Sequence, residues 1–191
     1  LYPDLRVESA RRTVEMGFDG YALGGLSVGE SKQQMLEAVE VCEPLLPEHS
    51  PRYVMGVGTP ADIVSCVMRG VDMFDCVLPT RMARHGSLLT ASGTLKIKNA
   101  RFREDPRPLE EDCDCPACAR YCRAWLHHLF RIQEATAWRL LSLHNVRFYK
   151  RLMARIRQAI QDGTLAELNA TVLSWTRRDA ACEDAGEREA D

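Results

Sequence analysis

No apolar run in the 191 residues approaches the ~20 needed to cross a bilayer, and the first residues carry neither the basic start nor the apolar core of a secretory signal. A cytoplasmic chain without a membrane partner is expected. An excess of one charge sign is also lacking. With a net charge of -2, 27% charged and 46% apolar residues, the chain is neither disordered nor broadly basic. A nucleic-acid partner would therefore have to be met by a local basic patch. An initiator methionine is missing too. The chain opens on Leu1 inside a helical pattern and is expected to be a piece of a longer protein. The eight cysteines are not spread evenly. Cys42, Cys66 and Cys76 stand alone in apolar surroundings, Cys182 lies near the C-terminus, and four crowd into residues 113–122. A disulfide framework suits a small secreted domain, so the crowding points to metal binding. The isolated three are expected to be small buried hydrophobes.

What is present alternates short apolar runs with amphipathic stretches. Leu5 to Met16 reads as a helix ended by Gly17, and Phe18 to Leu23 as a strand. The loop Gly24-Gly25-Leu26-Ser27-Val28-Gly29 leads to a helix from about Ser31 to Leu45. Arg52 to Val57 reads as a second strand, Thr59 caps a helix with Pro60 at its first position, and Gly70 closes it. Met73 to Leu78 reads as a third strand stopped by Pro79. Strands apolar on both faces and separated by helices indicate a parallel sheet. Either part of a (β/α) barrel or an open doubly wound sheet would fit, and both place chemistry at the carboxyl ends of strands. Three units cannot close an eight-stranded barrel, so a barrel requires further N-terminal strands. Beyond residue 87 the pattern changes. Leu88 to Thr90 and Thr94 to Ile97 read as a hairpin, followed by the cysteine cluster and helical stretches at about Ala119 to Ser142 and His144 to Ile160. The expected divisions are residues 1–87, 88–165 and a frayed tail, 166–191.

Cys113, Cys115 and Cys118 place three sulfurs within one tight turn, where Pro116 restricts the backbone. Three thiolates and one imidazole would form a closed, structural zinc site with no open position for water. His144, Cys122, His127 and His128 compete for the fourth place. His127 and His128 lie two or more turns along a helix leading away from the cysteines.

Asp75 interrupts an apolar strand. A buried charge there must be paired, hydrogen-bonded or functional, and a structural salt bridge competes with catalysis. Gly24-Gly25 and Gly56-Val57-Gly58 expose backbone groups at strand ends, but match neither a Walker loop nor a dinucleotide fingerprint. Met55 could pack on a ligand ring or in the core. Arg81, Arg84 and His85 open a basic stretch continued by Lys96, Lys98, Arg101, Arg103 and Arg107. It could follow a phosphate backbone or be an ordinary solvated face.

Taken together, Gly24 to Glu30, Met55 to Gly58, Met73 to Arg81 and the Cys-x-Cys-x2-Cys cluster resemble the tRNA-guanine transglycosylases, with the motifs in order from about residue 1 to 165. The resemblance implies the C-terminal portion of a TIM barrel with a zinc-binding subdomain. It also implies a pentosyltransferase that exchanges guanine at the wobble position of tRNAs with a GUN anticodon for a 7-deazaguanine base. Asp75 falls on the nucleophile, while Gly25, Leu26 and Met55 fall on base contacts. Gly56, Val57, Gly58, Thr59, Pro60, Ala61 and Asp62 match one RNA-binding segment. Thr80, Arg81, Met82, Ala83 and Arg84 match another. Zinc ligands map to Cys113, Cys115, Cys118 and His144, and a homodimer contact maps to Tyr121, Trp125 and His128. Val28, where eukaryotic members have Gly, favours the bacterial substrate 7-aminomethyl-7-deazaguanine (prequeuosine-1). The family's general acid/base aspartate lies in an N-terminal half without a counterpart here, so the chain alone is expected to be inactive. The alternative is a non-catalytic RNA-binding partner subunit. Retention of Asp75 argues against it.

Overall fold

A computed structural model describes residues 2–175. It divides into two compact units, Leu1–Val77 and Leu78–Asp191. The division falls earlier than the boundary expected after residue 87, because the segment from Leu78 forms a helix that packs within the second unit. Cys182 and the rest of residues 176–191 lie outside the described residues.

The first unit runs α1 (Pro3–Glu15), β1 (Tyr21–Leu23), α2 (Lys32–Cys42), β2 (Arg52–Val54), α3 (Pro60–Val67) and β3 (Met73–Phe74). Its strands form a parallel sheet in the order β1-β2-β3, with Leu23 opposite Val54 and Val54 opposite Phe74. The strands are shorter than the apolar runs that encode them. Gly56 turns the chain out of the ladder with φ +76, and the residues after Phe74 lead into helix. Local chemistry starts the helices where expected. Ser31 and Gln34 form a reciprocal capping box on α2, and Thr59 accepts from Asp62 N–H at 3.2 Å ahead of Pro60. Val39, Val54, Val57 and Cys66 lie at the centre of the core, and Cys42 is also buried. By contrast α1 buries none of its residues, and Tyr2, Leu5, Met16 and Phe18 are exposed.

The second unit runs α4 (Leu78–Arg84), β4 (Ser87–Thr90), β5 (Gly93–Lys96), α5 (Pro116–Arg120), α6 (Arg123–Arg131) and α7 (Ala135–Gln161). β4 and β5 form the expected antiparallel hairpin. Pro79 does not stop a strand. It sits in the first turn of α4, where its missing N–H needs no partner. The helix expected from Ala119 to Ser142 is broken twice. Tyr121 adopts an extended conformation, and Gln133 a left-handed one with φ +58, after which Glu134 caps α7 through Thr136 N–H. His144 is consequently well inside α7 rather than at a helix start. The tail expected to fray from residue 166 is helical over residues 165–175, with Leu168, Val172 and Trp175 buried. Their spacing is helical, and it outweighs the polar composition around them. No described helix is long and apolar enough to cross a membrane.

Candidate active site and metal centre

In the first unit the segments that follow the three strands converge. Asp75 comes immediately after β3 and is exposed, so the cost of burying a charge does not explain its partners. Its Oδ1 accepts two hydrogen bonds, from Tyr53 Oη at 2.6 Å and from Gly56 N–H at 3.0 Å. The parallel pairing of β2 with β3 brings these groups together, and the positive φ of Gly56 allows its turn beside Asp75. The Tyr53 hydroxyl first, and then the Gly56 amide, hold the Asp75 carboxyl below its ordinary pKa. The same bond pushes the Tyr53 phenol up. The result is an anchored, anionic carboxylate.

The loop after β1 approaches the same place. A Cβ on Gly56 would lie 3.7 Å from Ser27 Cβ and 3.8 Å from the Leu26 carbonyl oxygen. Met55 is 44% exposed, which removes it from the core, and its sulfur lies beside Gly24. Arg6 donates to the Gly24 carbonyl at 3.3 Å and to the Gly25 carbonyl at 3.2 Å. Glu30 accepts from the N–H groups of Ser27 and Val28. Leu26 is buried, whereas Val28 is exposed. Tyr53 and Arg6 are not singled out by the sequence, because their partners are set by strand pairing and loop geometry, and Glu30 enters there only as the end of the Gly24–Glu30 motif. Tyr53, next to the Met55-Gly56 motif at a strand end, was the one with a readable signal.

The segment Gly56 to Asp62 is largely engaged internally. Val57 and Ala61 are buried, Gly58 is buried, Thr59 caps α3, and Asp62 pairs with Lys32 at 3.0 Å. The side chains of Val57 and Ala61 are therefore unavailable to a ligand. In the second unit α4 carries Thr80, Arg81 and Arg84 on its exposed surface, with Met82 half-buried and Ala83 fully buried. Arg81 and Arg84 are three residues apart and share a face.

Cys113, Cys115, Cys118 and His144 bring their ligand atoms within 4.8 Å of one another. His144 Nδ1 lies 3.7, 3.6 and 3.4 Å from the sulfurs of Cys113, Cys115 and Cys118. His144 is fully buried, and its Nε2–H donates to the Leu89 carbonyl at 2.9 Å, which leaves Nδ1 to face the sulfurs. The cysteine turn is built locally, with Cys115 Sγ accepting from Cys118 N–H at the start of α5. Asn145 completes the support. Its Oδ1 accepts from Leu89 N–H at 3.0 Å, and its Nδ2 donates to the carbonyls of Pro79 and Ser87. The competing ligands are placed elsewhere. His127 donates to the Ile97 carbonyl at 2.7 Å, Cys122 occupies the N-cap position of α6 outside the cluster, and His128 is exposed.

The Cys118 thiol donates to Cys115, which pulls the Cys115 thiol down and pushes that of Cys118 up. Burial lowers the His144 pKa, but the Cys113 and Cys115 sulfurs outweigh it and lift the value to about 9. A metal replaces these protons. Three thiolates and one imidazole, with no fifth donor among the described residues, fit a structural zinc site. Beside it, Tyr121 and Trp125 stack at 4.3 Å, and Trp125 and His128 are exposed on α6.

These features define an α/β protein with a strand-end carboxylate site and a structural Cys3His zinc module. The family model described as queuine tRNA-ribosyltransferase matches residues 1–177, and the chain belongs to that family. The queuine tRNA-ribosyltransferase of Syntrophobacter fumaroxidans is 56% identical over 161 residues, covering 84% of this chain and 43% of that protein. Relatives of the same name from Methylobacillus flagellatus and Shewanella halifaxensis are each 54% identical, covering 85% and 86% of this chain and 44% of their own length. The chain thus spans less than half the length of the curated relatives it matches.

Proposed function

We propose that this chain supplies the nucleophilic half of a tRNA-guanine transglycosylase, which replaces guanine at the wobble position of tRNAs with a GUN anticodon by prequeuosine-1. The observation that carries the reading is the anionic Asp75, anchored through one oxygen by Tyr53 and Gly56 beside the Gly24–Leu26 loop and Met55. In the first displacement an Asp75 oxygen attacks the ribose C1′ of the extruded nucleotide, and guanine leaves with the bonding electron pair. In the second the incoming base attacks C1′ and releases the carboxylate. Two displacements retain configuration. Gly25 and Leu26 read the base through backbone groups, and Met55 covers its ring. Val28 disfavours the bulkier eukaryotic base.

RNA contacts fall to the backbone of the Gly56–Asp62 segment and to Arg81 and Arg84 on α4. The zinc module shapes the second unit for tRNA docking and for a homodimer through Tyr121, Trp125 and His128. The three parallel strands belong to a barrel completed by the remaining half of the full-length protein. The exposed apolar residues on and beside α1 support this reading. The missing half also carries the general acid/base, so this chain alone is inactive.

Incorporation of labelled guanine into tRNA by the full-length protein tests the proposal. Asp75→Asn should abolish exchange and the denaturant-resistant protein–tRNA adduct. Undiminished exchange in that variant would overturn the assignment. Loss of exchange in the wild-type protein, with tRNA binding intact, would instead favour a non-catalytic subunit.

A further inference from the structure

Beside the β4–β5 hairpin, and separate from both sites above, lies a cleft of about 360 Å³ lined by Arg101, Arg107 and Arg123, with hydroxyl groups from Ser92 and Thr94. The single acid in its lining is Asp105, which is buried. Asp105 accepts from Arg107 Nε at 2.9 Å and Nη2 at 2.7 Å, and from Arg123 Nη1 at 3.1 Å. Arg123 also donates to the Leu109 carbonyl at 3.0 Å. One carboxylate therefore holds two guanidinium groups in fixed orientation while cancelling only one of their charges. Arg101, in the turn after the hairpin, rests over the Phe102 ring at 4.8 Å and has no carboxylate partner among the described residues.

We propose that this cleft is a phosphate-binding site. Three guanidinium groups facing one carboxylate leave an excess of two positive charges in a concave, polar space. Pre-oriented guanidinium forks suit the several acceptor oxygens of a phosphate better than a lone ammonium or a single donor would. Arg101 supplies the uncommitted fork, Arg107 is exposed and its Nη1 has no partner in the Asp105 pair, and Arg123 contributes fixed charge. The phosphate could be a phosphodiester of RNA, which rests on the proposed function, or a free phosphate, which does not.

Titration of inorganic phosphate into the 191-residue chain, at constant ionic strength in a chloride background, tests the site directly by calorimetry. Saturable binding with one phosphate per chain is expected, weakened about ten-fold or more by Arg101→Ala. Arg101→Gln, which keeps the side-chain stem over Phe102, should weaken it similarly and guards against a folding defect. Absence of saturable binding, or wild-type affinity retained in both variants, would overturn the proposal. A second arm measures tRNA binding to the full-length protein against salt. If the ligand is an RNA phosphate, Arg101→Ala should reduce the slope of log affinity on log salt by about one. An unchanged slope with lost phosphate binding supports the site with free phosphate as its ligand. Failure of the full-length protein to bind tRNA at all would count against the proposed function and leave the phosphate result standing.

Discussion

At the scale of single residues, the two sites differ in what holds them. Asp75 is exposed and relies on two hydrogen bonds to one oxygen, so its orientation is sensitive to either partner. In the full-length protein Tyr53→Phe should lower kcat for guanine exchange by ~10–100-fold while leaving tRNA affinity largely unchanged. It should also move the acid limb of the pH profile upward, since Asp75 loses the main interaction that depresses its pKa. An unchanged limb would mean Tyr53 does not position the carboxylate. His144 and Asn145 are both fully buried and bind both backbone groups of Leu89. Asn145→Ala leaves the Leu89 N–H without its side-chain partner and removes the bonds to the Pro79 and Ser87 carbonyls, and should cost about 3 kcal/mol by denaturant unfolding. A loss under 1 kcal/mol would show that water substitutes. The hydrogen-bond partners of Tyr53 and Asn145 could not be read from the sequence. Asp75 is 22 positions from Tyr53, and Pro79 is 66 positions from Asn145.

At the scale of elements, helix starts were legible and helix lengths were not. Thr59-Pro60 and the Ser31–Gln34 box act within one turn, so their effect is encoded locally. The breaks at Tyr121 and Gln133 carry no glycine or proline and arise where the chain must redirect α5, α6 and α7 around a shared core. The loop between the hairpin and α5 depends on Asp105, whose carboxyl is held well below the ordinary range by the Arg107 bond first, with Arg123 adding to it. A carboxyl depressed in the folded state contributes stability that is complete above its unfolded pKa near ~3.9. That stability is lost as pH falls toward the folded value. The unfolding midpoint should therefore hold steady from neutral pH to about 5 and drop below about 4. Asp105→Asn should flatten that part of the drop and cost roughly 2–3 kcal/mol at pH 7, because Arg123 loses its charge partner in a mostly buried setting. An identical acid profile in the variant would move the effect elsewhere.

For the molecule as a whole, the zinc module ties β4, the cysteine turn and α7 into one unit. Purified chain should contain one zinc ion. Its removal by a chelator should lower the melting temperature by about 10 °C, as expected for a few kcal/mol in a domain of this size. Because zinc must compete with protons for thiolates and imidazole, its affinity should fall as pH decreases. A metal-free chain with unchanged melting would dissociate the cluster from stability. The first unit presents the opposite situation. Its three-stranded sheet and unburied α1 leave Leu5, Met16 and Phe18 exposed.

By itself the sequence determined the α/β alternation, the helix caps, the cysteine turn and the family motifs, because each depends on residues within a few positions or on an ordered set of short segments. Spacing alone left the fourth partner of the cysteines open between His144, Cys122, His127 and His128, although the family resemblance mapped it to His144, and the sequence did not show what Asp75 touches. Tertiary structure decided both. Helix α7 carries His144 back to a turn about thirty residues earlier, while His127 is consumed by the Ile97 carbonyl. Parallel pairing of β2 and β3 sets Tyr53 and Gly56 against Asp75. The pairings join residues far apart along the chain, and only the packed fold brings such residues within hydrogen-bonding distance.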